Sequence, residues 1–148
     1  MTVDNYYLNI ALAVAQKSTC LKKQYGAVIV KNSEILATGF NGPPRHEPHC
    51  LACTKKDGHK DFDEYCSCPA VHAEMNAIIS APRRDMLGST LYLAGYDVIT
   101  GTENMTVAPC EICLRLIKNA GVDLVITNQG TIYKRNESGI LEKCEINV

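Results

Sequence analysis

The chain has 148 residues, of which 46% are apolar and 21% charged, and its formal net charge is −1 at pH 7. This length and composition predict a single ordered domain over residues 1–148 and exclude disorder as the main state. The balanced charge lacks the clustered basic surface that binds long nucleic acids, so a small molecule is the expected partner.

The first part of the chain is predicted to form a helix and a β-hairpin. Apolar residues recur at intervals of four, three and four in a helix from residue 3 to about residue 19, which gives it one buried face. Residues 26–31 and 34–40 are β-rich, and the short connection at 32–33 predicts a hairpin between them. The Asn-Gly-Pro-Pro segment at 41–44 ends the second strand, because proline cannot continue a strand ladder. The predicted buried face of the helix comprises Val3, Tyr7, Ile10 and Val14.

The rest of the chain is predicted to complete a mixed sheet with helices on its faces. Residues 45–68 are polar, aperiodic and rich in Cys and His, so we expect a metal to order this long loop. Further along, a strand–helix–strand order implies parallel pairing through a right-handed crossover. The predicted elements are a helix at 73–81 stopped by Pro82, a strand at 90–94, a helix at 111–120 ended by Gly121, a strand at 122–127 and a last strand around 140–146.

The eight cysteines of the chain occur at spacings typical of metal ligands. No run approaches the ~18 apolar residues of a membrane-spanning helix, and Asp4 and Asn5 do not fit a secretory signal, so we predict a cytoplasmic protein with no membrane partner. In a reducing compartment, cysteines bind metal more often than they form disulfides. The two C-x-x-C pairs at 50–53 and 110–113 therefore favour metal sites.

Two short motifs carry the strongest chemical signal. They are His-Ala-Glu at residues 72–74 and Pro-Cys-Glu-Ile-Cys at residues 109–113. His72, Cys110 and Cys113 supply three ligands of the kind that zinc prefers. Three protein ligands leave the fourth tetrahedral position for water, which is typical of catalytic zinc, whereas structural zinc has four protein ligands.

Helix geometry constrains how these residues can meet. Positions two apart on a helix differ by about 200° around the axis, so His72 must precede the regular helix if Glu74 is to reach the same water. Pro109 fits just before a helix start, which places Cys110 and Cys113 one turn apart on one face. The unpaired N–H groups and the dipole of a helix start favour thiolates, the form that binds metal.

The predicted site suggests hydrolysis. Zinc lowers the pKa of bound water from about 15.7 towards about 7, and a carboxylate such as Glu74 can take that proton and pass it to the substrate. This chemistry removes ammonia from an amidine-like carbon of a heterocycle. The combination of H-x-E and P-C-x-x-C is the signature of zinc-dependent base deaminases, in which the glutamate is not a metal ligand.

The motifs resemble those of the cytidine and deoxycytidylate deaminase superfamily, and more narrowly the short dCMP deaminases of bacteria, archaea and phages. The resemblance covers nearly the whole chain and implies a three-layer α/β/α cytidine deaminase-like fold with a mixed five-stranded sheet. One departure is His46, which stands where relatives often carry glycine. The matching segments are 18–20 (Ser-Thr-Cys), 26–30 (Gly-Ala-Val-Ile-Val), 39–45 (Gly-Phe-Asn-Gly-Pro-Pro-Arg), 49–50 (His-Cys), 68–78 and 109–113.

The resemblance also implies an activity and a first set of residue roles. The reaction would be zinc-dependent hydrolysis of dCMP to dUMP and ammonia, as part of pyrimidine deoxynucleotide metabolism. His72, Cys110 and Cys113 would bind the catalytic zinc ion, and Glu74 would move the protons. The Asn41 segment would contact the sugar and the 5′-phosphate.

Further substrate and effector contacts are predicted at four positions, three of which also have a structural alternative. Arg45 is either a phosphate clamp through its forked donors or a solvated loop charge. Tyr96 either stacks on the base or packs in the fold. Ala73, within the His-Ala-Glu motif, is a further candidate contact. Arg83 matches a position where some relatives touch a nucleotide effector, although a cation is also favoured at a helix end by the dipole.

The remaining cysteines predict a second, structural zinc site. Five of them lie in or beside the long loop, more than burial of small apolar residues would explain. Relatives carry cysteines near four of these positions, so the predicted ligands are Cys20, Cys50, Cys53 and Cys68. Cys66 or His49 could replace one of them.

Several other functions compete with dCMP deamination. The enzyme could instead deaminate dCTP, a 5-modified dCMP or another small heterocycle. A tRNA adenosine deaminase shares both motifs, but the balanced charge offers little to a long RNA backbone. A non-catalytic zinc module would have no use for Glu74. The resemblance further implies a homo-oligomer, such as a hexamer, with dCTP and dTTP as effectors.

Overall fold

The computed structural model of the chain describes residues 1–53, 68–101 and 106–144. In these ranges a mixed sheet of six strands, in the order β2-β1-β3-β4-β5-β6, packs against helices on both faces. No helix within the described ranges is long and apolar enough to cross a membrane. The elements are α1 (Val3–Ala15), β1 (Lys23–Lys31), β2 (Glu34–Phe40), α2 (Ala73–Ile79), α3 (Arg83–Met86), β3 (Thr90–Asp97), α4 (Glu111–Ala120), β4 (Leu124–Thr127), β5 (Gly130–Arg135) and β6 (Leu141–Lys143).

Side-chain alternation along β1 separates the two faces of the sheet. Val28 packs in the cluster beneath α1, whereas Ala27 and Ile29 pack in the larger cluster that contains residues of α2 and α4. Because successive strand residues point to opposite faces, Tyr25 shares the α2 and α4 face with Ala27. The predicted three-layer arrangement is confirmed.

Helix α1 packs on β1 through small residues. A Cβ atom on Gly26 would lie 2.0 Å from the backbone oxygen of Ala11 and 2.6 Å from the backbone nitrogen of Ala15, so only glycine fits there. The buried residues of the helix are Tyr7, Ala11 and Ala15, and Val3 is 70% exposed. The prediction is confirmed for Tyr7, Ile10 and Val14, which belong to or pack against the cluster on this side of the sheet, and is wrong for Val3. The most buried face is rotated towards Ala11 and Ala15, because alanine packs closely without giving a strong apolar signal.

Helix α2 approaches the other face of the sheet just as closely. A Cβ atom on Gly39 of β2 would lie 2.4 Å from both the backbone oxygen of Ala73 and the backbone nitrogen of Ala77. The side-chain amide of Asn76 also donates to the backbone oxygen of Phe40 at 2.8 Å. These contacts fix the first turn of α2 above the end of β2.

The predicted hairpin and crossover are confirmed. Asn32 and Ser33 both have positive φ, 53° and 64°, as the favoured two-residue hairpin turn requires. Strand β3 pairs in parallel with β4 across α4. Helix α4 has the predicted bounds and ends at Gly121, whose φ of 84° is that of a left-handed cap.

The sheet has six strands in the described ranges, one more than predicted. The additional strand is β5, which pairs antiparallel with β4 and carries a single buried residue, Ile132. With so little burial, the strand has no clear alternating apolar pattern. Strand β6 is shorter than the predicted 140–146 segment, of which residues 145–146 lie outside the described ranges.

Candidate active site

His72 lies immediately before α2, as the sequence predicts. It is the N-cap residue, with extended backbone angles of φ −73° and ψ 155°. The preceding residue, Val71, forms a two-way backbone bridge with Gly42, with hydrogen bonds of 2.7 and 3.1 Å. This bridge anchors the imidazole between the loop after β2 and the start of α2.

The two cysteines of the second motif lie at the start of α4. Cys110 is the N-cap residue, and its Sγ accepts the backbone N–H of Cys113 at 3.4 Å. The cysteines therefore occupy one face of the first turn. Pro109 precedes the cap, as predicted, so the backbone enters the helix at a position that suits proline.

The helix starts of α2 and α4 together form a candidate metal centre. His72 Nδ1 lies 3.5 Å from Cys110 Sγ and 3.3 Å from Cys113 Sγ. A tetrahedral zinc ion with Zn–N of about 2.1 Å and Zn–S of about 2.3 Å separates nitrogen from sulfur by roughly 3.6 Å. The donor set and its spacing therefore fit zinc. In the described ranges, the ligand atoms of His72, Cys110 and Cys113 all lie within 4.8 Å of one another.

The carboxylate of Glu74 lies beside this centre and is shielded from solvent. The residue is 5% exposed and lines the same cavity as His72 and Cys110. Burial raises the pKa of Glu74 above its usual range, while hydrogen bonds from its own backbone N–H and from the Cys113 thiol oppose that rise. A carboxyl group with a raised pKa is suited to exchange protons.

The thiol of Cys113 is buried next to Glu74 and Cys110. Burial raises the pKa of its thiol, and the nearby charges of Glu74 and Cys110 raise it further. The side chain is fully buried, so desolvation outweighs the field of the helix start. A cation bound between the two sulfurs would offset the cost of burying the Cys113 thiolate.

The centre opens into a cavity of about 290 Å³. Eight of the residues lining this cavity are among the predicted site residues: His72, Glu74 and Cys110 of the metal centre, Asn41 and Ala73, and Cys20, Cys53 and Cys68 of the second predicted zinc site. Three others, Lys22, Lys23 and Tyr25, were not predicted. Strand β1 begins at Lys23, three residues earlier than predicted. Because alternate residues of a strand face the same side, Lys23 and Tyr25 lie on the same side as Ala27 and face the site, and this alternation was the sequence signal for them.

Asn41 is buried and bound to the backbone of β1. Its Oδ1 accepts the backbone N–H of Tyr25 at 2.8 Å, and its Nδ2 donates to the backbone oxygen of Lys23 at 2.9 Å. The hydroxyl of Ser18 donates to the backbone oxygen of Asn41 at 2.7 Å. The side chain therefore shapes the cavity wall, and its predicted contact with substrate stays a prediction.

Neither Tyr96 nor Arg45 is among the described residues that line the cavity. Tyr96 pairs with Gln24 across the strands, and its hydroxyl donates to the Gln24 side chain. By strand parity this pair shares the α1 face with Ala94, away from the metal centre. Arg45 is exposed, and His46 next to it has a positive φ of 72°, which suits a position where relatives often carry glycine.

Arg83 does not lie at the end of α2. It starts the short helix α3, which was not predicted, and its Nε donates to the backbone oxygen of Asn119 at 2.8 Å. The cation therefore caps carbonyls at the end of α4, a favourable place for positive charge. An effector contact at Arg83 stays a prediction.

The four predicted ligands of the second zinc line one small cavity, together with Thr19 and Gly42 among others. The pKa of Cys50 is raised by burial and then by Cys68, Cys20 and Cys53, so the four thiols are near one another. Within the described ranges their sulfur atoms do not form a group inside 4.8 Å. The alternative ligand His49 accepts or donates a hydrogen bond with the Thr19 hydroxyl at 2.9 Å, and Cys66 lies outside the described ranges.

Comparison with protein families gives one match over most of the chain. The model described as the cytidine and deoxycytidylate deaminase zinc-binding region matches residues 1–129. The matched region contains both motifs of the metal centre and Glu74.

Individual relatives agree with this match. The deoxycytidylate deaminase of Mycobacterium phage D29 is 36% identical over 129 residues, which are 83% of this chain and 91% of the phage protein. The deoxycytidylate deaminase of Saccharomyces cerevisiae is 31% identical over 150 residues, covering 98% of this chain but 43% of the yeast protein.

A solved structure shows the same architecture. The dCMP deaminase from cyanophage S-TIM5, crystallised in complex with dCMP and dUMP, is 28% identical with a TM-score of 0.62 and covers 86% of this chain and 82% of the cyanophage chain. This likeness confirms the predicted fold family.

Proposed function

The chain belongs to the cytidine and deoxycytidylate deaminase family, and on this basis we propose that it hydrolyses dCMP to dUMP and ammonia. The observation that carries the proposal is the juxtaposition of the His72, Cys110 and Cys113 group with a buried glutamate in one cavity. The names of the phage and yeast relatives and of the cyanophage structure support the choice of dCMP.

Each residue of the site has a separate task in this reaction. His72, Cys110 and Cys113 would hold zinc, which supplies the Lewis acidity that makes water a nucleophile near neutral pH. Glu74 accepts a proton from the attacking water and delivers it to the pyrimidine ring nitrogen, and it then carries the proton of the newly formed hydroxyl group to the amine, which departs as ammonia. The backbone of Ala73, at the cavity wall, orients that base.

Two lysines support a substrate that carries phosphate. Lys22 and Lys23 line the same cavity as Glu74, and both are half-buried. No salt bridge to either ammonium group occurs within the described ranges. These two cations would neutralise a phosphate at the cavity mouth, which favours a nucleotide over a free base or nucleoside.

An ammonia-release assay over a substrate panel tests the proposal. The panel contains dCMP, dCTP, 5-methyl-dCMP, deoxycytidine, cytidine, adenosine and guanine. We expect dCMP to have the highest kcat/KM, and deoxycytidine to have a far lower value because it lacks the phosphate. Turnover of a free base with inert dCMP would overturn the nucleotide proposal, and no turnover of any compound would favour a zinc module without activity.

A second, structural zinc ion is part of the proposal. Cys20, Cys50, Cys53 and Cys68 border one cavity, and their proximity is reflected in the raised pKa of Cys50. Zinc bound by four thiolates would draw these sulfurs together and remove the cost of placing them close to one another.

The remaining proposals concern the state of the protein. We propose one domain over residues 1–148, a homo-oligomer such as a hexamer, regulation by dCTP and dTTP, and a cytoplasmic location. Gel filtration with light scattering in the presence and absence of each nucleotide tests the oligomer and its response to effectors.

A further inference from the structure

We propose that Tyr25 is a substrate-contacting specificity residue, whose hydroxyl hydrogen-bonds the pyrimidine nucleotide in the cavity. The inference rests on the proposed function, because it assigns a further contact in the same site. The position is one of seven tyrosines, and its sequence context is that of an ordinary packing residue.

The fold turns the Tyr25 side chain towards the metal centre. The next residue, Gly26, faces α1, where its position against Ala11 leaves no room for a Cβ atom. Strand alternation therefore places Tyr25 on the opposite face, where it packs against the cluster containing Ala27 and lines the cavity with Glu74.

The backbone of Tyr25 is held at both of its polar groups. Its N–H donates to Asn41 Oδ1 at 2.8 Å, and its carbonyl oxygen accepts the Asn41 backbone N–H at 3.3 Å. On the other side it is paired with Gly95 of β3. A side chain on such a fixed backbone is preorganised, so it can contact a ligand at little entropic cost.

The phenol hydroxyl has no hydrogen-bond partner among the described residues. The side chain is half-buried, and Glu74, Cys20 and Asp97 are the acidic groups that interact electrostatically with the phenol. Burial and the Glu74 charge raise its pKa, so it remains a protonated donor. The Tyr25 ring lines the reaction cavity on a fixed backbone, and its hydroxyl is available for a hydrogen bond. Such a side chain is suited to position a polar heterocycle.

The test compares Tyr25→Phe with Tyr133→Phe, a matched control. Tyr133 is also half-buried against the same cluster, but it lies on β5 and does not line the cavity. We expect Tyr25→Phe to raise KM for dCMP about five- to ten-fold with kcat within about two-fold, since a contact shared by the ground and transition states acts on KM. Binding of dUMP, measured by calorimetry, should weaken by the same factor, whereas zinc content and Tm should not change.

Two results would overturn the inference: KM and dUMP affinity equal to those of the wild type, or an equal effect of Tyr133→Phe. Failure of the proposed function is a different result, namely a wild-type protein that does not turn over dCMP. In that case the same pair of variants is compared on the compound of the panel that the wild type prefers. An unchanged KM for Tyr25→Phe on that compound would again overturn the contact.

Discussion

The side-chain oxygen of Asn41 accepts the backbone N–H of Tyr25 at 2.8 Å, and this hydrogen bond joins the loop after β2 to the first part of β1. The amide nitrogen of the same side chain binds the backbone oxygen of Lys23. One buried amide therefore fixes two of the residues that line the cavity. A polar side chain used in this way is as important for the shape of the site as a direct ligand contact.

Replacing Asn41 with alanine should destabilise the protein and weaken substrate binding together. The change removes the partners of the partly buried Tyr25 N–H and Lys23 carbonyl oxygen, which costs about 1–3 kcal/mol of unfolding free energy. Urea unfolding measures this loss, and the KM for dCMP should rise in parallel. Asn9→Ala is the control, because that side chain is exposed and donates a hydrogen bond to the Met1 sulfur, far from the cavity lined by Glu74. Equal stability of the two variants would contradict the account.

Replacing Gly39 with alanine should displace α2. The new Cβ atom would lie 2.4 Å from backbone atoms of Ala73 and Ala77, so the helix that carries Glu74 must move. We expect a loss of about 1–3 kcal/mol in unfolding free energy and a lower kcat, because the reacting groups are misplaced. In Gly42→Ala, nothing lies within 4 Å of the added atom, and the unfolding free energy should be almost unchanged. A fully stable Gly39→Ala variant would show that this close contact is not needed.

The sequence was sufficient to predict the metal centre because its two motifs are local. The His-Ala-Glu and Pro-Cys-Glu-Ile-Cys segments specify two helix starts, and each ligand lies within a few residues of a cap. The parallel crossover then brings the two starts together.

The cavity wall depends on information that is not local. The starts of β1 and β3 and their pairing register determine which face of the sheet Tyr25 and Tyr96 occupy. A shift of a single position would exchange the faces, and short apolar runs do not fix that register. The rotated face of α1 has a similar origin, since the contact of Gly26 with Ala11 depends on small size and not on hydrophobicity.

Replacing Glu74 with glutamine should separate catalysis from stability. Removing the proton carrier is expected to lower kcat about 10²- to 10⁴-fold. Glutamine has the same shape as glutamate, and burial already raises the pKa of Glu74, so the neutral amide should retain zinc with a Tm close to that of the wild type. Glu111→Gln is the control: its side chain is exposed in the first turn of α4, and kcat should stay within about two-fold. Normal turnover by Glu74→Gln would refute the role of Glu74.

The second zinc proposal makes a stoichiometric prediction. Fully loaded wild-type protein should contain two zinc ions per chain, and Cys50→Ser should contain one and unfold at a lower temperature, because a thiolate ligand is lost. Elemental analysis after removal of loosely bound metal measures the zinc content of the wild type and of the variant, and thermal unfolding measures the change in stability. Cys144→Ser, which removes a half-buried thiol that lines neither cavity, should keep two. A single zinc in the wild type would eliminate the structural site.

Anomalous diffraction at the zinc edge from crystals grown with dUMP would test the central claim most directly. The account predicts a zinc peak bonded to His72 Nδ1 and to the sulfurs of Cys110 and Cys113, with its free side facing Glu74 and the pyrimidine. A peak whose fourth ligand is another protein side chain, or a nucleotide bound away from that metal, would contradict it.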